Sequence, residues 1–180
     1  MNFRFTEEQE LLRTTVRAFC AKELKDNADP LPRMKQLGWL DGDTVDSAIV
    51  FEELGRRALK NASNPILRAA CCIGSAQQAI DDAVKYANER RAFGQPIGKF
   101  QAIAHLLADL QVEVDGARWL LYQAACQPSE KDTAMAQTAC ADALIKTTSD
   151  AMRVFGGYGL TLEFDIANRF RDARRFVHGA

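Results

Sequence analysis

Arg90, Phe93 and Gln101 stand in one short stretch, RRAFGQPIGKFQ, residues 90–101, together with Arg91, Lys99, Phe100, two glycines and a proline. An arginine fork matches a phosphate through two parallel N–H···O bonds, and phenylalanine faces suit a planar ring. A generic helix–helix connection needs only a few polar residues and a breaker. This one carries charge, two aromatic plates and an amide, and it leads into a helix whose free N–H groups attract anions. The set fits a ligand bearing both a phosphate and a ring, such as a dinucleotide. Arg90 also has a plainer use, as a cation at the negative C-terminal end of a helix.

A second stretch, VFGGYGL, residues 154–160, follows an apolar helical run. Gly156 and Gly157 serve there as a C-cap that lets the chain reverse, or as a place where backbone lies against a ligand without interference from Cβ. The pattern is not Gly-x-Gly-x-x-Gly and no strand precedes it, so a Rossmann site is excluded. The metal and thiol chemistries find little material. Five cysteines (Cys20, Cys71, Cys72, Cys126, Cys140) lie among small apolar residues without a Cys-x-x-Cys pair, and the chain has two histidines, His105 and His178. Reduced thiols buried in the core, no disulfides and no metal are expected.

Helices must position these groups. Thr6 with Gln9 forms a capping box, and Leu12, Val16, Phe19 and Leu24 follow at helical spacing. A short helix is expected over Pro32–Leu37, stopped by Gly38, with Trp39 and Leu40 anchoring the turn. A third starts at Asp43 or Thr44. Pro65 suits the first turn of a long helix whose first half is small on nearly every side, around Gly74, and is therefore expected to be central and buried. Ile103, Leu106, Leu107, Leu110, Val114, Ala117, Leu121 and Ala124 form the inner face of the next helix. Another runs back to Gly156, and a last one covers about 163–175. No strand is expected.

Composition narrows the class. The 180 residues are 47% hydrophobic and 26% charged, with a net charge of −1, as in a soluble globular protein. No basic stripe marks a nucleic-acid binder, no apolar run reaches the roughly 20 residues of a membrane span, and MNFRFTEEQELL lacks a signal-peptide core. A cytoplasmic location is expected.

Three segments resemble one family. ERRAFGQPIGKFQAIAHLLADL and RVFGGYGLTLEFDIANRFRDAR resemble the C-terminal-domain signatures of the acyl-CoA dehydrogenases, and FTEEQELLRTTVRAFCAKEL resembles their first helix. The resemblance implies a FAD-dependent enzyme that removes the α and β hydrogens of an acyl-CoA thioester. It implies an all-α fold for this chain: an N-terminal helical domain, residues 1–62, packed on a C-terminal four-helix bundle, residues 63–180. By the same resemblance Arg90 holds the pyrophosphate of FAD, Phe93 lies beside it, Gln101 contacts the nucleotide part, and Gly156 and Gly157 line it, typically for the cofactor of a neighbouring subunit.

The resemblance also exposes departures. The family's middle β-barrel falls between the third and fourth helices, where only KNASNP separates FEELGRRAL from ILRAACCIG. The catalytic glutamate is missing from both places the family uses: one is near His178, the other near Asn64. Glu163 is expected to pair with an arginine instead. Arg153 stands where a cofactor-contacting glutamine precedes the glycine pair, and the family's final helix does not follow. The catalytic base is therefore unknown. The expected function is half of a FAD site, contributed within a homo-oligomer or to a full-length acyl-CoA dehydrogenase. The alternatives are a non-catalytic helical assembly protein, and a helical catalyst recruiting His178 or Glu163 for other chemistry such as hydration.

Overall fold

Four of the helices, α1, α3, α4 and α6, begin where a side chain satisfies free backbone N–H groups. The structure, a computed structural model, describes residues 5–23, 30–57, 64–161 and 163–178; Leu24, most of the link before Pro65 and the side chain of His178 lie outside this set. Helix α1, Glu7–Glu23, opens with the reciprocal box: Gln9 N donates to Thr6 Oγ1 at 3.2 Å and Thr6 N to Gln9 Oε1 at 3.1 Å. Helix α2, Leu31–Gln36, stops before Gly38, which takes the left-handed φ of 72°. Asp43 caps α3, Thr44–Gly55, and Asn64 caps α4, Pro65–Glu89, accepting from Ile66 N at 2.9 Å. Helices α5, Gln101–Cys126, and α6, Glu130–Phe155, are joined by a short turn in which Ser129 caps α6. Helix α7 spans Ile166–His178, three residues later than the periodicity suggests.

The small residues of α4 make it the centre. It is flanked by α3, α5 and α6, and its glycine sets the closest approach. A Cβ on Gly74 would lie 1.8 Å from Glu52 O, and one on Gly55 would lie 2.2 Å from Cys71 O. Two backbones therefore meet at a distance only glycine permits, as the small-residue run implies. The main core draws on all seven of these helices, from Val16 through Met34, Ile49, Leu54, Ile73, Leu110, Leu121 and Leu144 to Ala173. A smaller apolar cluster, including Ala83, Ile97, Leu107, Val154, Phe155 and Ile166, fills the end of the bundle where α4 and α6 stop.

Two expectations need correction. A strand pair does exist: β1, Arg91–Ala92, runs antiparallel to β2, Gln95–Pro96, with Arg91 opposite Pro96 and Ala92 opposite Gln95. Phe93 and Gly94 make its two-residue turn with φ of 51° and 81°, the pair of positive values of a type I′ turn. Two-residue strands are too short to show a period of two. Cys126 is also not a core thiol: it is exposed at the end of α5, whereas the other four cysteines are buried. Burial pushes the Cys20 thiol up to about 11 and Cys72 to about 12, so these are inert packing groups.

Candidate functional site

Arg90 is the residue at which α4 ends. Its N–H donates to Tyr86 O at 2.8 Å, its backbone turns to an extended conformation, and its O accepts from Ile97 N at 2.8 Å, closing the hairpin at its base. The side chain is thereby thrown to the end of the bundle. Gly156 arrives there from α6. It is the C-cap of that helix, with a φ of 59°, and its N–H bonds the carbonyls of Met152 and Arg153. Gly156 thus performs the capping role, and a 3-10 turn, Gly156–Leu160, continues from it. Between these two helix ends lies a cleft of about 430 Å³, lined by Arg90, Tyr86, Ile97, Val154, Phe155, Gly156, Gly157, Tyr158 and Thr161. Its volume falls within the range of roughly 300–1,000 Å³ usual for small-molecule sites.

The chemistry of the lining is one-sided. Arg90 is exposed and has no carboxylate partner among the described residues, and no carboxylate lines the cleft. A Cβ on Gly157 would meet nothing within 4 Å, so the backbone there faces open space. One wall is aromatic: Tyr86 stacks on Phe155 with centroids 4.5 Å apart, and Phe164 meets both rings at 5.3 and 5.1 Å. A guanidinium without a carboxylate partner among the described residues, a bare backbone floor and ring faces suit a phosphate ester carrying a planar group.

The candidate residues are not all in one place. Arg90, Gly156 and Gly157 line the same cleft; Phe93 and Gln101 lie outside its lining. Phe93 sits at the hairpin tip, 96% exposed, with its ring edge-on to Phe100 at 6.2 Å. Gln101 is exposed at the first position of α5, a helix whose N-terminus has no capping side chain. Arg153, the departure beside the glycine pair, points to solvent and pairs with Asp150 at 2.9 Å. Glu163 is exposed and, contrary to expectation, makes no ion pair among the described residues; the buried Arg169 pairs with Asp165 at 3.4 Å. Asn64 is committed to capping α4.

Sequence reasoning misses a second polar constellation. Glu52 and Glu53 of α3 are each only 1% exposed. Glu52 accepts from Tyr122 Oη at 2.7 Å, Arg118 Nε at 3.1 Å and Arg13 Nη2 at 3.3 Å. Glu53 accepts from both Nη2 and Nε of Arg17, at 2.7 and 2.8 Å, and from Arg13 Nε at 3.1 Å. Arg118 also reaches Asp115 and donates to Gln77 at 2.7 Å. Burial pushes the Glu53 carboxyl up, yet the Arg17 hydrogen bond and the charges of Arg56 and Arg17 together hold it below its ordinary value. Burial, then the charge of Glu52, raises the Tyr122 hydroxyl well above its usual range. This network joins α1, α3, α4 and α5. Both of its carboxylates are paired with arginines, so it reads as structure. Its only sequence signal is a Glu pair inside an otherwise apolar helix.

The geometry defines an all-helical bundle with a cationic, glycine-floored cleft at one end. A model of the acyl-CoA dehydrogenase C-terminal domain matches residues 63–179. The chain belongs to the acyl-CoA dehydrogenase family, and its fold is the helical fold of that domain. It is 44% identical over 131 residues to a glutaryl-CoA dehydrogenase from Desulfococcus multivorans, covering 69% of this chain and 32% of that one. It is 40% identical over 111 residues to a short-chain specific acyl-CoA dehydrogenase from Megasphaera elsdenii, covering 59% and 29%. The solved glutaryl-CoA dehydrogenase–glutaryl-CoA complex superposes with a TM-score of 0.60 at 38% identity, covering 71% of this chain and 32% of that chain. The chain thus spans about a third of the length of these relatives. Among the described residues no helix is long and apolar enough to cross a membrane, and no His, Cys, Asp and Glu cluster could hold a metal ion.

Proposed function

We propose that this chain supplies half of a FAD site in an acyl-CoA dehydrogenase assembly, gripping the diphosphate and nucleotide part of the cofactor at the Arg90 cleft. The observation that carries the reading is Arg90: a guanidinium without a carboxylate partner among the described residues, set over the Gly156–Gly157 turn in a cleft free of acidic groups. In such a place a diphosphate gains a bidentate cationic partner and backbone can approach it closely. Phe93 and Gln101 lie outside the cleft and serve parts of the ligand that extend beyond it, or the surface of the subunit that brings it. When bound, FAD supplies the hydride-accepting ring for α,β-dehydrogenation of an acyl-CoA thioester. This chain's residues bind and orient the cofactor's distal end, while the shelter that excludes water from the ring comes from a second subunit, of its own kind or a full-length relative.

The test is flavin retention. The chain is purified alone and after co-expression with a full-length acyl-CoA dehydrogenase, and bound flavin is read by absorbance. Flavin retained in the complex, and reduced there by Arg90→Gln, is the expected result. A stable complex whose flavin content ignores Arg90→Gln overturns the reading and leaves the non-catalytic assembly protein.

A further inference from the structure

Arg90 carries the charge of the cleft, yet the hydrogen bonds at its position are made by backbone. A long side chain anchored only through its main chain samples many rotamers, and ordering it on a ligand costs affinity. Among the described residues, a ring contact limits that freedom. The Arg90 guanidinium carbon lies 5.2 Å from the centroid of the Tyr158 ring, within the about 6 Å reach of a cation–π interaction. Tyr158 belongs to the 3-10 turn that carries the glycine pair, and that turn is itself held. The Tyr158 carbonyl accepts from Thr161 N at 3.1 Å and Thr161 Oγ1 at 2.8 Å. Its ring meets Phe164 edge-on at 6.4 Å, within the aromatic wall of the cleft.

The kind of contact matters. A carboxylate partner would occupy the in-plane N–H groups of Arg90, the same groups a phosphate needs. A ring takes only the face of the planar guanidinium and leaves the donor edge free. We propose that Tyr158 is a positioning residue: its ring holds the Arg90 fork over the glycine turn before the ligand arrives, so that the donors already face the diphosphate. The inference rests on the FAD reading and adds to it the residue that preorganises the grip.

The probe is ADP, which carries both diphosphate and nucleotide, titrated calorimetrically into the full chain. Tyr158→Leu weakens binding by about two- to fivefold, the span of a partly exposed cation–π contact, while Tyr158→Phe binds as the unaltered chain does. In an Arg90→Gln background Tyr158→Leu produces no further loss, because the ring acts through Arg90. A ligand-free readout accompanies these. The Arg90 Nε–Hε resonance, assigned by its loss in Arg90→Gln, is shifted by the ring current in the unaltered chain and in Tyr158→Phe. In Tyr158→Leu it returns to the ordinary arginine position. If the unaltered chain binds no ADP, this inference falls, while the FAD reading stands or falls by the flavin content of the complex. If ADP binds but Tyr158→Leu changes nothing, or costs as much without Arg90 as with it, or the resonance does not move, this inference alone falls.

Discussion

At the scale of the residue, the two glycines of the cleft are not equivalent, and the difference separates stability from binding. Gly156 adopts φ 59° and ψ −137°, a combination closed to residues with a Cβ. Gly156→Ala should therefore destabilise the fold by about 1–3 kcal/mol, read from the urea midpoint, although a Cβ there would meet no neighbouring atom within 4 Å. Gly157 has neither a positive φ nor a neighbour to collide with, so Gly157→Ala should leave the midpoint unchanged. It places a methyl group in the cleft instead, so ADP or FAD binding should weaken. Equal midpoint losses for the two variants would show that the positive φ of Gly156 is not what sets the stability of the turn. Phe93 makes a related point. A bulky residue held at φ 51° and almost wholly in solvent contributes little to the fold, so Phe93→Ala should leave the urea midpoint nearly unchanged. The motif residues were legible in the sequence by type, but their grouping was not. Nothing in the spacing of Arg90, Phe93 and Gln101 says that a hairpin will carry Phe93 away from the cleft, because the turn is built on Phe-Gly rather than the usual Asn-Gly.

At the scale of the element, helix starts and stripes were readable because they are local: Thr6 with Gln9, Pro65, the small face of α4 and the apolar face of α5 all lie within one or two turns. The Glu52–Glu53 network was not, since its arginines come from positions 13, 17 and 118 and adjacent charges ordinarily mark a solvated face. That network has a pH signature. Burial disfavours the charged form of Glu53, but the hydrogen bond with Arg17 and the nearby arginine charges outweigh it, so its folded pKa lies below the ordinary value of 4.5. A depressed carboxylate contributes stability that is present above its unfolded pKa and is lost as pH falls towards its folded one. Unfolding free energy should accordingly decline below about pH 4.5, and the decline should be shallower in Glu53→Gln. At pH 7 that variant leaves three arginines short of a buried partner. Breaking such a pair costs about 3–5 kcal/mol, and the lower end applies here because Arg17 is half in solvent. A Glu53→Gln chain as stable as the original at pH 7, with the same acid limb, would remove the network from the account of what holds α1 to the rest.

At the scale of the whole molecule, the question is whether residues 1–62 and 63–180 behave as two units or one. The family resemblance implies a boundary at the short KNASNP link between α3 and α4. The packing argues for joint behaviour. The core that begins at Val16 ends at Ala173, and the α3–α4 contact is so close that Gly55 and Gly74 leave no room for a Cβ. Separating α1–α3 from the bundle would expose the faces of α3 and α4 to water and strip Glu52 of Tyr122 and Arg118, a loss neither part can offset alone. The chain carries a natural reporter in each part. Trp39 lies edge-on to Phe19 at 5.2 Å in the first, and Trp119 lies on α5 in the second. Single-tryptophan variants, Trp119→Phe and Trp39→Phe, should therefore give fluorescence unfolding curves in urea with the same midpoint and slope, coincident with loss of helical circular dichroism. A Trp39 transition that precedes the Trp119 transition would mean that the first three helices detach on their own. In that case the N-terminal part would be a separately folding module resting on the bundle, and the cleft at the far end of α4 would not depend on it.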